Sequence, residues 1–306
     1  MGATWQGSRD FEVAASPSGR ASLLSAAFVV DQANISRAGG DLLDPLVFAA
    51  IVQANLAPLR TDAQVQRRYA NSGEVLPDDL RRPISAHAVA QSLRLPYETV
   101  RRKIRRLVDR GLCVATAAGV VVPGAVIAGQ DHAAIQAARL ERLNSFHDEL
   151  ARAGVLSPGE ALAAPVPHAP MRAANTALSQ YLLRTTDRLV ALTGGVVDGF
   201  VLTGLAVANA RYILGPEAPA HPTGLAAEPR PCSGLALSRR LGMPNETVRR
   251  RLPVLAQAGF AQRVRGGWIV AVPLAERPRI AQLAAENEAD LHRLFARLKE
   301  LADAAA

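Results

Sequence analysis

Apolar positions along this chain recur mostly at helical spacing. In "ISAHAVAQSLRLPYETVRRKIRRLVDRGL" (Ile84–Leu112), Ala86, Val89, Ala90 and Leu93 share one face, which predicts a short helix with Ser85 as its N-cap. A tight connection, Arg94-Leu95, leads to Pro96, which suits a helix's first turn because the missing amide would have no partner there. Val100, Ile104 and Leu107 then fall at i, i+4 and i+7, the buried stripe of a second helix. After Gly111 the pattern changes: "LCVATAAGVVVP" reads as two strands around a Gly turn. An apolar helix from Leu42 to about Leu56 precedes this segment. A long amphipathic helix over roughly Asp131 to Ala153, with Leu143, Phe146 and Leu150 on one face, follows it.

The whole pattern occurs twice. "ETVRR" at Glu98–Arg102 returns at Glu246–Arg250, an offset of 148 residues that also brings Arg82-Pro83 onto Arg230-Pro231, Ser85 onto Ser233 and Pro96 onto Pro244. Leu107 falls on Leu255 and Gly111 on Gly259 without a gap; "FAQRVRGGWIVAVP" (Phe260–Pro273) then repeats the hairpin, with two residues inserted. Upstream, at an offset of 154, "DPLVFAAIVQAN" (Asp44–Asn55) parallels "DGFVLTGLAVAN" (Asp198–Asn209), each after a Gly pair. A repeat of about 130 residues is far longer than a solenoid unit and reads as a duplicated domain.

The expected organisation is therefore a flexible arm (1–20), a first unit (21–156), a Pro- and Ala-rich linker (157–173) and a second unit (174–306). In the second unit the apolar helix runs from Val197 to about Leu214, and the helix pair carries Leu237, Leu241, Val248, Leu252 and Leu255 inward. Its closing helix, roughly Ala275 to Ala302, carries Leu291, Leu294, Leu298 and Leu301 on one face. "LPDDLRRP" and "GPEAPAHPTGLAAEPRP" are the polar or Pro-rich connections of the two units. The fold class is mainly α with small β-hairpin wings.

Composition supports helices and adds charge. Aromatics make up 4% of the chain while Ala, Leu and Arg, all strong helix formers, abound. A formal net charge of +8 and a pI near 10.4 fit a polyanionic partner. A rotation of about 100° per residue from an inward Val100 puts Glu98, Arg101, Arg102, Arg105 and Arg106 on the outer face, with Tyr97 and Thr99 at its edges.

The two cysteines, Cys113 and Cys232, lack metal or redox spacing, which fits inert thiols in a reduced cytoplasmic setting. The six histidines (His87, His132, His147, His168, His221, His292) are scattered and read as surface or structural. No phosphate loop, nucleophile elbow or acid pair stands out, so neither an enzyme nor a cofactor is expected. The N-terminus has no signal-peptide pattern. Leu192–Ala210 is nearly long enough to span a bilayer, but it contains Asp198 and a Gly pair and reads as a core helix.

Helix, short turn, basic helix and hairpin, in that order, resembles the winged helix-turn-helix domains of bacterial transcription regulators of the MarR, GntR and Crp kind, in which a string like "ETVRR" opens the recognition helix. The resemblance covers 83–123 and 231–273 and implies a double-stranded DNA partner and a nucleoid location. It places Ser85, Tyr97, Glu98, Thr99, Arg101 and Arg102 at the DNA in the first copy, with Arg105 and Arg106 on phosphates. In the second copy it places Ser233, Asn245, Glu246, Thr247, Arg249 and Arg250 there, with Arg263 and Arg265 on the wing. Because both recognition helices lie in one chain, the expected arrangement is a single-chain pseudo-dimer with a pseudo-twofold, reading an imperfect palindrome.

Two departures stand out. Arg94 occupies the place of the turn glycine Gly242, at a cost on the order of 1 kcal/mol if φ must be positive, so the first turn is expected to differ in shape. Pro253 and Val254 replace Arg105 and Arg106, so the second helix is expected to lose charge and to bend. The plain alternative for ETVRR is a solvated, salt-bridged helix face. The functional alternatives are a tandem winged-helix interaction protein of the chromosome-segregation type and a plasmid-type replication initiator. The long amphipathic helices are candidate homo-oligomer seams; a small-molecule effector is not indicated.

Overall fold

The computed structural model of the chain describes residues 17–37, 40–57, 63–70, 74–157, 168–210 and 229–305. The expected arm up to residue 16, linker residues 158–167 and the Pro-rich connection over 211–228 lie outside the described residues. The protein is mainly helical with two small antiparallel hairpins. The first half contains α1 (Pro17–Arg37), α2 (Leu43–Asn55), α3 (Ala63–Arg68), α4 (Ala86–Leu93), α5 (Tyr97–Asp109), β1 (Val114–Thr116), β2 (Gly119–Val121), α6 (Gly124–Ala128) and α7 (Gln130–Arg152). The second contains α8 (Met171–Thr193), α9 (Val196–Asn209), α10 (Gly234–Leu241), α11 (Asn245–Gln257), β3 (Ala261–Val264), β4 (Gly267–Val270) and α12 (Arg277–Asp303).

Some expected boundaries shift. Residues 17–20 of the expected arm and 171–173 of the expected linker are helical, because α1 and α8 precede the apolar helices α2 and α9. The apolar helix of the second copy stops at Asn209 rather than near Leu214. No single helix among the described residues is long and apolar enough to cross a membrane; the apolar stretch before Ala210 is split into α8 and α9, bent by 96° at their junction.

Compactness divides the chain differently from sequence repetition. One unit, which holds α4 and α5, is drawn from Gln32–Asn144, Ala164–Asp187 and the chain from Arg293 onward. The other, which holds α10 and α11, is drawn from the chain up to Asp31, Ser145–Ala163 and Arg188–His292. In the α4/α5 unit, Val47 and Ile51 of α2 pack with Val89, Leu93, Val100, Ile104 and Leu107 of the helix pair and with Val120 and Val122 of the hairpin. In the α10/α11 unit, α9 packs on α10, α11 and β4, burying Leu205, Leu237, Leu241, Val248, Leu252, Leu255 and Ile269. There Gly204 admits Leu241: a Cβ on Gly204 would lie 2.4 Å from Leu241 Cδ2.

Each hairpin is tied to its helix pair by the same devices. Asn55 and Asn209, fully buried at the ends of α2 and α9, act as clamps. Asn55 Nδ2 donates to the carbonyls of Arg82 (2.7 Å) and Val120 (3.2 Å), and its Oδ1 accepts from Val122 N (2.9 Å). Asn209 repeats this with Arg230 O (2.7 Å), Trp268 O (3.1 Å) and Val270 N (2.8 Å). A one-residue third strand completes each sheet, Ile84 bridging Val120 and Cys232 bridging Trp268. The bridge brings backbone so close that a Cβ on Gly119 would lie 2.5 Å from Ile84 O, and one on Gly267 2.4 Å from Cys232 O. Glycine is the residue that fits there.

Candidate nucleic-acid interface

Each helix pair starts from a serine cap. Ser85 Oγ accepts from Ala88 N and Ser233 Oγ from Ala236 N, both at 3.1 Å, which satisfies one of the orphan amides of the first turn. The turns that follow share one shape. Arg94 sits at φ 50°, ψ 38° and Gly242 at φ 54°, ψ 38°. The expectation of a different first turn is therefore corrected: Arg94 adopts the left-handed conformation, the only non-glycine with positive φ among the described residues. The turn's backbone bonds require that conformation, with Leu95 N donating to Ala90 O and Met243 N to Ser238 O, both at 3.0 Å. Arg94 Nε pairs with Asp187 at 3.0 Å.

On α5 the predicted faces are the observed ones. Val100, Ile104 and Leu107 are buried, Thr99 is half-buried, and Tyr97, Glu98, Arg101, Arg102, Arg105 and Arg106 are exposed. On α11, Asn245, Glu246, Arg249, Arg250 and Val254 are exposed and Thr247 is half-buried, while Val248, Leu252 and Leu255 are buried. The helix runs unbroken through Pro253; its ring removes one internal hydrogen bond without ending the helix.

The exposed charges are not equally available. Arg101 Nε donates to Glu98 at 3.0 Å, which raises the guanidinium's pKa. Glu246 accepts from both Arg249 and Arg250 at 2.7 Å, and these bonds hold its carboxyl down to about 2. Arg102 and Arg105 have no carboxylate partner among the described residues. On the second hairpin the Arg263 guanidinium lies 5.8 Å from the Trp268 ring centroid, and exposed Arg265 begins the two-residue turn between β3 and β4. The first hairpin has Ala117 and Ala118 in its turn and carries no basic residue.

Sequence reasoning missed one basic residue. Lys103, in the middle of α5, is 6% exposed, and its ammonium is 2.9 Å from Asp41 and 3.2 Å from Asp44 at the start of α2. Asp44 also draws Arg106 to 3.5 Å and Arg110 to 3.9 Å. The second copy repeats the contact as Arg251 with Asp198, at 3.6 Å. A signal was present: the apolar helix opens with Asp in both copies, and a cation recurs at the matching place in both basic helices. These pairs fix how the basic helix leans on the apolar helix behind it.

The thiols are subdued by their surroundings. Burial pushes Cys113 up to about 12 and also raises Cys232. No protein-family model, curated protein or solved structure matches the chain. The functional reading therefore rests on the geometry of the duplicated helix pair.

Proposed function

We propose that the chain is a sequence-specific double-stranded DNA-binding transcription regulator whose two winged helix-turn-helix heads, 83–123 and 231–273, read unequal halves of an imperfect palindrome. The observation that carries this reading is the exposed face of α5. Tyr97, Arg101, Arg102 and Arg105 project from a short helix that follows a tight turn, and Arg249 and Arg250 repeat the middle two positions on α11. A B-DNA major groove admits one such helix, and an arginine can take guanine O6 and N7 bidentately, worth roughly 1 to 3 kcal/mol of discrimination.

The heads differ in how they hold DNA. The first relies on Arg102 and Arg105 of the helix. The second has Arg250 and Pro253 at the matching places, has Glu246 clamping both Arg249 and Arg250, and gains Arg263 and Arg265 on its wing. Selection of bound sequences from random DNA, followed by footprinting, tests the proposal: one chain protects two dissimilar half-sites. Arg102→Ala weakens only one of them, and affinity falls steeply with salt. Equal loss at both half-sites, or no selective binding at moderate salt, overturns it.

One observation favours a second reading, that of a protein-docking module. Leu235 and Val254 on the second helix pair are 50% and 45% exposed, at the places where the first pair has His87 and Arg106. DNA-independent capture of a protein partner, lost in Leu235→Ser/Val254→Arg, would favour docking over DNA reading for that head.

A further inference from the structure

Away from the helix pairs, the α4/α5 unit contains a polar layer between α7 and α8. His132, Gln136 and Arg139 recur at helical spacing on α7, as do Arg172, Asn175 and Ser179 on α8. Asn175 Nδ2 donates to the carbonyls of Gln136 (3.2 Å) and Met171 (3.0 Å). One turn further along both helices, Arg139 Nη2 donates to Ser179 Oγ (3.1 Å) and its Nε to Gln32 Oε1 of α1 (3.2 Å).

Two groups in this layer are left unmatched. Arg139 meets only neutral oxygens, with no carboxylate partner among the described residues. It is enclosed deeply enough that burial pulls its guanidinium down to about 10, yet its side chain keeps partial contact with solvent. Asn175 is 5% exposed and its Oδ1 has no hydrogen-bond partner. A flipped amide does not resolve this, because Nδ2 already serves two carbonyls. Asn175 lies about one helical turn before Ser179, the residue on which the Arg139 guanidinium rests.

The other unit shows what a compensated version looks like. Ser25 matches Ser179 at the 154-residue offset, and Asn287, whose Nδ2 donates to Ser25 Oγ at 2.9 Å, takes the place beside it that Arg139 takes beside Ser179. The guanidinium in that layer, Arg188, is paired with Glu286 at 3.0 Å and with the fully buried Asp290. Duplication has kept the serine while only one copy has acquired a positive charge without a negative one.

We propose that this layer binds a small α-hydroxy carboxylate, one per chain, with the carboxylate on Arg139 and the hydroxyl donating to Asn175 Oδ1. An anion alone would satisfy the arginine and leave the amide oxygen unpaired, so the ligand needs a donor beside its carboxylate. A hydroxyl suits the site better than an ammonium because Arg139 and Arg172 already make the layer positive, the field that, with burial, holds His132 down to about 4.

Calorimetric titration of the full chain with glycolate, acetate and inorganic phosphate tests this without DNA, so its outcome is independent of the DNA-binding reading. Glycolate binds one per chain and at least tenfold tighter than acetate. Arg139→Gln weakens glycolate at least tenfold, and Asn175→Leu removes the preference over acetate while leaving acetate unchanged. If either variant fails to fold, the wild-type His132 imidazole followed by NMR decides: glycolate raises its titration midpoint. Equal binding of acetate and glycolate, a stoichiometry of two, phosphate binding tighter than glycolate, or an unmoved His132 each overturns the proposal.

Discussion

Replacing Arg94 with glycine isolates the cost of the turn between α4 and α5. At φ 50° an L-residue brings Cβ toward the neighbouring carbonyl, a penalty of about 1 kcal/mol that glycine does not bear. The same change removes the ion pair with Asp187, whose partners are 55% and 48% exposed, so that loss is worth about 0.2 to 1 kcal/mol. The two effects oppose, and Arg94→Gly alone is expected to lie between neutral and about 1 kcal/mol more stable. The cycle with Asp187→Asn separates them. In that background the pair is already weakened, and Arg94→Gly should recover nearly the full ~1 kcal/mol, read as a higher urea midpoint at unchanged m-value. The converse change, Gly242→Ala in the second copy, should cost a similar ~1 kcal/mol. If Arg94→Gly destabilises the Asp187→Asn protein, the left-handed turn is not the source of strain and the reasoning fails.

Three further outcomes follow from the packing. Asn55→Ala and Asn209→Ala each remove three hydrogen bonds from a buried clamp, and each should cost about 2 to 4 kcal/mol in urea denaturation, with the hairpin amides losing hydrogen-exchange protection first. Gly204→Ala should destabilise by about 1 to 3 kcal/mol despite alanine's better helix propensity, because of the 2.4 Å approach to Leu241; pairing it with Leu241→Val should restore part of the loss. His132 is held neutral in the fold, down to about 4 from 6.5, by burial together with Arg139 and Arg172. The unfolded chain therefore binds the extra proton first, and stability is full above pH 6.5 and falls by a few kcal/mol, to order of magnitude, as pH drops to 4. His132→Phe should flatten that slope.

Periodicity was enough to read the faces of α4, α5, α10 and α11, because each is a short helix with one apolar stripe over a single core. The hairpins were legible from their glycines, though not the reason for them: Gly119 and Gly267 are needed less for the turn than for a third strand pressing against them. α1 and α8 escaped notice. They lie upstream of the Gly pair at which the strong part of the repeat begins, and their polar faces carry little contrast. The inward Lys103 was hidden by its neighbours, since a lysine among four arginines looks like part of the same exposed face until Asp41 and Asp44 are seen behind it.

The two copies differ in an orderly way. Features that carry the backbone are kept nearly atom for atom: the serine caps, the left-handed turn, the asparagine clamps, the bridging strand and its glycine. The asparagine clamps serve main-chain groups of the hairpins away from solvent, so their loss leaves donors and acceptors there unpaired. Divergence falls on outward charges and on the polar layers, where a changed side chain alters what the surface attracts without unmaking the scaffold. The helix arginines exchanged for Pro253 and Val254, the arginines gained on the second hairpin, and Arg139 standing where the other copy has Asn287 are all of this kind. Such a distribution is expected when a duplicated scaffold remains under the constraint of folding while its two copies are free to take different ligands. It makes Arg102, Arg265 and Arg139 the residues at which function, rather than stability, should respond to substitution.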